Sequence, residues 1–199
     1  IHQGIHACRH FLGFFPERGI PASALETPAS KKRIISLTGF MASGKSSVGQ
    51  QLAAKLGYDF ADTDSIIEQK QSMSISDIFT QFGEEKFRDM ESDVLLSFKG
   101  KNNIVVSCGG GAVLRDKNRK FLSEETVPFW LYTSMNETLR RGNDGTRPLL
   151  KNMDRPEQLM ELFEKRKHLY ASLYGTLVIS EGDPEQIMEL INEEIRLSL

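Results

Sequence analysis

From Arg33 onward, apolar positions alternate between short continuous runs and spaced repeats. Ile34, Ile35, Ser36, Leu37 and Thr38 form a run that stops at Gly39, which predicts a buried strand. Val48, Leu52, Ala53 and Leu56 then recur at helical spacing, with Gly57 as a stop. Tyr58 to Ala61 reads as a second strand ending at Asp62, and helical repeats follow at Ile66 and Ile67, at Ile75, Ile78, Phe79 and Phe82, and at Phe87, Met90, Val94 and Leu95. Ile104, Val105 and Val106 predict a third strand, Val127 to Tyr132 a fourth and Leu177 to Ile179 a fifth. The last helix runs from Pro184, proline being favoured in a first helical turn. Strands alternating with helices predict an α/β fold, a parallel sheet covered on both faces.

Residues 1–33 lack such a period. Gly, Pro, His and Ser are scattered among short apolar pieces, so the stretch is expected to be an extension, a flexible leader or vector-derived residues, outside one domain spanning 34–199. Its basic residues (Arg9, Arg18, Lys31, Lys32, Arg33) exceed its acidic ones (Glu17, Glu26), a faint echo of an organellar transit peptide. His2, His6, Cys8 and His10 are metal-ligand types, but nothing around them predicts a scaffold to fix them.

A length of 199 residues suits one domain rather than two. With 25 Lys and Arg against 27 Asp and Glu, the formal charge is −2, which argues against a nucleic-acid partner and requires any basic site to be local. The longest apolar runs fall well short of the roughly 18 residues that span a bilayer, so no membrane partner is expected. Cys8 and Cys108 form no disulfide pattern, which fits a reducing compartment. A cytoplasmic monomer is the expectation, or a plastid protein if residues 1–33 are a native leader.

Gly39-Phe40-Met41-Ala42-Ser43-Gly44-Lys45-Ser46 matches G-x-x-x-x-G-K-[ST] between a predicted strand and a predicted helix. In that context the backbone N–H groups of Ala42, Ser43, Gly44, Lys45, Ser46 and Ser47 cradle nucleotide phosphates at a helix N-terminus, Lys45 reaches the β/γ-phosphates and the Ser46 hydroxyl serves Mg²⁺. ATP or GTP binding follows, but not the identity of the acceptor. Many such proteins carry a metal-binding acid at the end of a neighbouring strand; here Ile104-Val105-Val106 runs into Ser107-Cys108-Gly109, with no carboxylate. Asp62 and Asp64 are the nearest candidates, at the carboxyl end of the second strand. Each has a plainer reading, Asp62 as a strand-end turn residue and Asp64 as a helix N-cap.

Four further stretches keep their order behind this loop: Asp62-Thr63-Asp64, Gly83-Glu84-Glu85-Lys86-Phe87-Arg88, Gly109-Gly110-Gly111 and Arg147-Pro148-Leu149-Leu150. Arg88 and Glu91 share a helix face, either bracing a guanidinium for a carboxylate or forming an ordinary exposed salt bridge. The glycine run suits close approach of backbone to a ligand, or a tight turn. Gly142-Asn143-Asp144-Gly145-Thr146 is turn-rich, as a lid around Arg147 would be.

Taken together, these motifs resemble the shikimate kinases from about Ile34 to the C-terminus. The resemblance implies a P-loop kinase fold, a five-stranded parallel sheet flanked by helices with a mobile lid, and transfer of the ATP γ-phosphoryl group to the 3-hydroxyl of shikimate, a step toward chorismate. It implies Asp64 on the acceptor hydroxyls, Asp62 holding Mg²⁺ through water beside Ser46, Arg88 and Arg166 on the shikimate carboxylate, and Gly109, Gly110 and Gly111 lining that site. It implies Arg147 as the lid arginine on the transferring phosphoryl group, and Arg141 (or Arg140) near adenine. Lys45, Asp64 and Arg147 are thereby the expected catalytic residues. His168 stands where the family usually shows Pro, and Ala42 where it often has Gly. The weighed alternatives are a kinase for gluconate or a nucleoside monophosphate, and a non-catalytic regulatory module of the same fold.

Overall fold

A computed structural model describes residues 34–142, 156–173 and 175–197. Five strands, β1 (Ile34–Thr38), β2 (Asp59–Asp62), β3 (Ile104–Ser107), β4 (Val127–Tyr132) and β5 (Thr176–Ile179), form one sheet in the order β2-β3-β1-β4-β5. Every pairing is parallel, with Ile34 opposite Ile104, Leu37 opposite Phe129 and Trp130 opposite Leu177. All five expected strands are present, β2 starting one residue later and β5 one earlier than the pattern predicted.

The alternation of side chains sorts the strands into two cores. Ile35, Leu37, Val105, Phe129 and Leu131 face one side, packed against Val48, Leu52, Ile187 and Ile191 of helices α1 (Lys45–Leu56) and α7 (Pro184–Leu197). Ile34, Ile104, Val106 and Trp130 face the other, under α3 (Ile75–Leu96), α4 (Asp116–Glu125) and α6 (Pro156–Ala171), which contribute Phe87, Val94, Leu95, Phe121, Leu122, Leu159 and Phe163. Helix α2 (Thr63–Gln71) follows β2 directly and α5 (Met135–Gly142) follows β4.

Two local features shape the site end of the sheet. In α3, Gly83 takes φ 79° and ψ 168°, so the helix is interrupted there by a left-handed residue. After β3, the glycine run leads into a single 3₁₀ turn, Ala112–Leu114. Because β1 has β3 on one side and β4 on the other, the chain leaving β1 emerges where the strand order reverses, the place where open α/β sheets bind ligands. Among the described residues no helix is long and apolar enough to cross a membrane. Residues 1–33, with His2, His6, Cys8 and His10, and the stretch around Arg147 that was expected to form a lid lie outside the described residues.

Candidate active site

The loop between β1 and α1 is built around Lys45. Its Nζ donates to the carbonyls of Gly39 (3.0 Å) and Phe40 (2.7 Å) and to the Ser43 hydroxyl (3.2 Å), so the ammonium ties the loop around itself. Gly44, the N-cap of α1, has φ 81° and brings no side-chain cap, which leaves the first N–H groups of the helix for an anion. Ala42 also takes a left-handed φ of 60°. Its methyl is buried, and the left-handed backbone it adopts is one that glycine takes more readily. The Ser180 hydroxyl at the end of β5 donates to the Ser43 carbonyl at 2.7 Å, a contact between distant positions that the sequence did not signal.

Arg141, rather than Arg140, is the arginine at this loop. A Cβ on Gly44 would sit 3.4 Å from Arg141 Nη1, and Arg141 is oriented by Glu137 at 2.6 Å and the Gly182 carbonyl at 3.5 Å. Arg140 points outward with its side chain 71 % exposed. Glu137 receives both guanidinium groups, whose hydrogen bonds, Arg140 first, hold its carboxyl well below the usual range.

Asp62 connects the loop to β2. One of its oxygens accepts from the backbone N–H groups of Asp64 (3.1 Å) and Ser65 (3.2 Å), and the other accepts from the Ser46 hydroxyl at 2.6 Å. The N-cap of α2 is therefore Asp62, not Asp64 as its plainer reading had it, because the helix begins at Thr63. Ser107 Oγ lies 3.3 Å from Ser46 Oγ, so the carboxyl end of β3 offers a hydroxyl where a metal-binding acid was sought. Ser46 and Asp62 supply hard oxygen donors, the chemistry that suits Mg²⁺. Among the described residues no cluster of three or more His, Cys, Asp or Glu gathers, so such an ion would complete its shell with phosphate and water.

Beside the loop opens a cavity of about 770 Å³, lined by Lys45, Ser46, Asp62, Asp64, Arg88, Glu91, Gly110, Gly111 and Arg166 among others. Arg88 and Glu91 do not form an exposed salt bridge. They are 5 % and 0 % exposed and pair at 2.9 Å, and Glu84, four residues before Arg88, accepts from the same guanidinium at 3.1 Å. The rings of Phe87 and Phe79 flank it, 5.0 and 5.9 Å from the guanidinium carbon. Glu84 stood at a legible i, i+4 spacing; the two rings gave no sequence signal beyond their apolar period. Burial lifts Glu91 to about 7 despite the pull of Arg88.

Arg166, on α6, is 7 % exposed and makes no ion pair among the described residues. Burial lowers its pKa, with neighbouring Arg88 acting in the same direction, yet an arginine stays charged. A buried cation without its own carboxylate is costly unless a ligand supplies one. His168, in place of the family's proline, lies within the unbroken helix α6, so Arg166 is delivered without distortion.

Two glycines of the run, Gly109 and Gly111, are packed too tightly for side chains, and Gly110 is not. A Cβ at Gly109 would lie 2.5 Å from Glu91 Oε1 and 2.6 Å from Asp64 Oδ1, one at Gly111 would overlap the Arg88 guanidinium, and one at Gly110 would meet Met41 N at 3.4 Å. A tight turn alone would not require this. The residues the sequence singled out at Gly39–Ser47, Asp62, Asp64, Arg88, Gly109–Gly111, Arg141 and Arg166 are thus brought to one end of the sheet, around a phosphate loop and a cavity with two buried guanidinium groups.

Known proteins of one family are similar to this chain in sequence and in fold. The family model described as shikimate kinase matches residues 41–196. A shikimate kinase of Thermodesulfovibrio yellowstonii is 42 % identical over 166 residues, covering 82 % of this chain and 96 % of the relative, and one of Persephonella marina is 41 % identical over 165 residues, covering 82 % and 99 %. Among solved structures, shikimate kinase from Acinetobacter baumannii in complex with shikimate superposes with a TM-score of 0.77 at 34 % identity, covering 89 % of this chain and 96 % of the other. With a phosphate loop, a five-stranded parallel sheet and a family match over most of its length, the chain belongs to the shikimate kinase family, and is an ATP-dependent kinase.

Proposed function

We propose that this chain transfers the γ-phosphoryl group of ATP to the 3-hydroxyl of shikimate, giving shikimate 3-phosphate and ADP. The observation that carries this reading is the pair of buried guanidinium groups, Arg88 and Arg166, lining the cavity that also holds Asp64 and Lys45. Arg88 is held in its orientation by Glu84 and Glu91, and Arg166 has charge to spare; together they suit the carboxylate of a small ligand. Asp64 then faces a hydroxyl of that ligand and orients it for in-line attack, its proton passing toward the carboxylate.

On the nucleotide side, Ala42, Ser43, Gly44, Lys45, Ser46 and Ser47 present the phosphate cradle, with Arg141 over its rim. Lys45 stabilises charge gathering on the β- and γ-phosphates. Mg²⁺ would be held by the Ser46 hydroxyl and, directly or through water, Asp62, and would neutralise phosphate charge there. Arg147, outside the described residues, has the role of the lid cation in this reading. Gly109, Gly110 and Gly111 wall the acceptor with backbone rather than side chains. The kinase domain spans 34–199, with residues 1–33 as an extension to it, and the enzyme works in the cytoplasm as a monomer.

The test is coupled ADP release with Mg-ATP and shikimate, gluconate, CMP or no acceptor, in the wild type and in Asp64→Asn and Arg88→Ala. Turnover confined to shikimate, and reduced by at least about 10²-fold in Asp64→Asn, is expected. Turnover with gluconate or CMP instead would discard the acceptor assignment, and nucleotide binding without turnover on any acceptor would discard catalysis.

A further inference from the structure

Tyr170 has no part in the chemistry above, yet its hydroxyl donates to the carbonyl of Gly110 at 2.6 Å. The residue is 1 % exposed and belongs to the core, while Gly110 and Gly111 line the cavity and Tyr170 does not. It therefore reaches the glycine run from behind the cavity wall.

The consequence for the wall follows from peptide geometry. In a trans peptide the carbonyl and the N–H lie on opposite sides, so holding the Gly110 carbonyl toward Tyr170 turns the Gly111 N–H away from it. The neighbouring backbone is engaged, with Ala112 N donating to Gly109 O (3.0 Å) and Leu114 N to Gly111 O (2.9 Å), but the N–H groups of Gly110 and Gly111 meet no protein acceptor among the described residues. Three successive glycines bring no side chain of their own to fix these peptide planes. Tyr170 also stands four residues after Arg166 on α6, so one helix face delivers both the guanidinium and the hydroxyl. Burial raises the phenol well above its ordinary pKa, which keeps it a donor across the working pH range.

We propose that Tyr170 is a positioning residue for the phosphoryl acceptor: its hydroxyl fixes the Gly110–Gly111 peptide so that the open Gly111 N–H is presented to the acceptor, and it has no bearing on ATP. The inference rests on the assignment of shikimate as the acceptor. It predicts an effect on one substrate alone, which a general loosening of the core would not produce.

The experiment compares the wild type with Tyr170→Phe and with chains carrying p-fluorophenylalanine or p-aminophenylalanine at position 170. The fluorinated ring fills the space of the hydroxyl without donating, and the aminated ring restores a donor. The expected result is a KM for shikimate raised about fivefold in Tyr170→Phe and the fluoro chain, KM for ATP within about twofold of wild type, and recovery in the amino chain to within about twofold. Should Tyr170→Phe not fold, the fluoro and amino pair decides alone. An unchanged KM for shikimate in the fluoro chain, equal rises in both KM values, or no recovery in the amino chain overturns the proposal. A wild type inactive on shikimate but active on another acceptor fails the functional assignment itself, and removes this inference with it.

Discussion

Asp62 and Ser46 meet at 2.6 Å, the carboxylate of the second strand accepting from the hydroxyl that opens the phosphate-loop helix. The same carboxylate caps α2 through its other oxygen, so one side chain has a structural and a chemical duty that substitutions can separate. Asp62→Asn keeps a capping oxygen and loses the charge. The Mg²⁺ concentration giving half-maximal rate is expected to rise about tenfold, with the thermal midpoint within about 2 °C of wild type. Asp62→Ala loses both duties and is expected to cost a further ~1 kcal/mol of stability in chemical denaturation.

Lys45 binds the carbonyls of Gly39 and Phe40, and in the proposed reaction it also stabilises the phosphates. Lys45→Met is expected to lower kcat by about 10²–10³-fold, the scale on which a single donor to developing charge is felt. Single-turnover phosphoryl transfer at saturating ATP would measure it; a loss confined to KM for ATP would assign Lys45 to ground-state binding alone.

For Glu91, the sign of the pH effect follows from its folded-state value of about 7 against an ordinary 4.5. The folded chain holds this proton more tightly than the unfolded chain, so the group's contribution to stability is complete below about pH 4.5 and is lost as pH rises through about 7. Glu91→Gln removes that dependence. The difference in unfolding free energy between wild type and Glu91→Gln, measured by urea titration, is therefore expected to shift against the wild type between about pH 5 and about pH 8, and a pH-independent difference would show that Glu91 is ionised throughout.

The glycine run predicts an order of harm. Gly111→Ala drives a methyl into the Arg88 guanidinium and Gly109→Ala drives one between Glu91 and Asp64, whereas Gly110→Ala has 3.4 Å to the nearest atom. KM for shikimate is expected to rise at least about tenfold in the first two and to stay within about threefold in the third. Equal damage at all three positions would show that backbone freedom, not space, is what the glycines provide.

The strands were legible because most are short apolar runs bounded by a glycine, an acid or small polar residues, and burial on both faces of a parallel sheet leaves little else for such runs to do. The phosphate loop was legible for the same local reason. What escaped the sequence depends on contacts between distant positions. The spacing of Arg88 and Glu91 alone left a braced guanidinium and an exposed pair both open until the glycine run after β3 is packed against them, and Ser180 meets Ser43 across 137 positions. The capping of α2 was misread within two residues, since both Asp62 and Asp64 are good caps and the start of the helix, at Thr63, decides between them.

The stacking of Trp130 on Tyr170, with ring centroids 5.6 Å apart, gives the chain a property of a different kind. Trp130 is the single tryptophan in the sequence, it is 3 % exposed, and its indole N–H has no hydrogen-bond partner among the described residues. Its emission should therefore lie toward the blue, and it stands one aromatic ring away from the hydroxyl that grips Gly110. The molecule thus carries a built-in optical probe next to its glycine wall, so events there can be followed by light, in unlabelled protein, on the timescale of a mixing experiment.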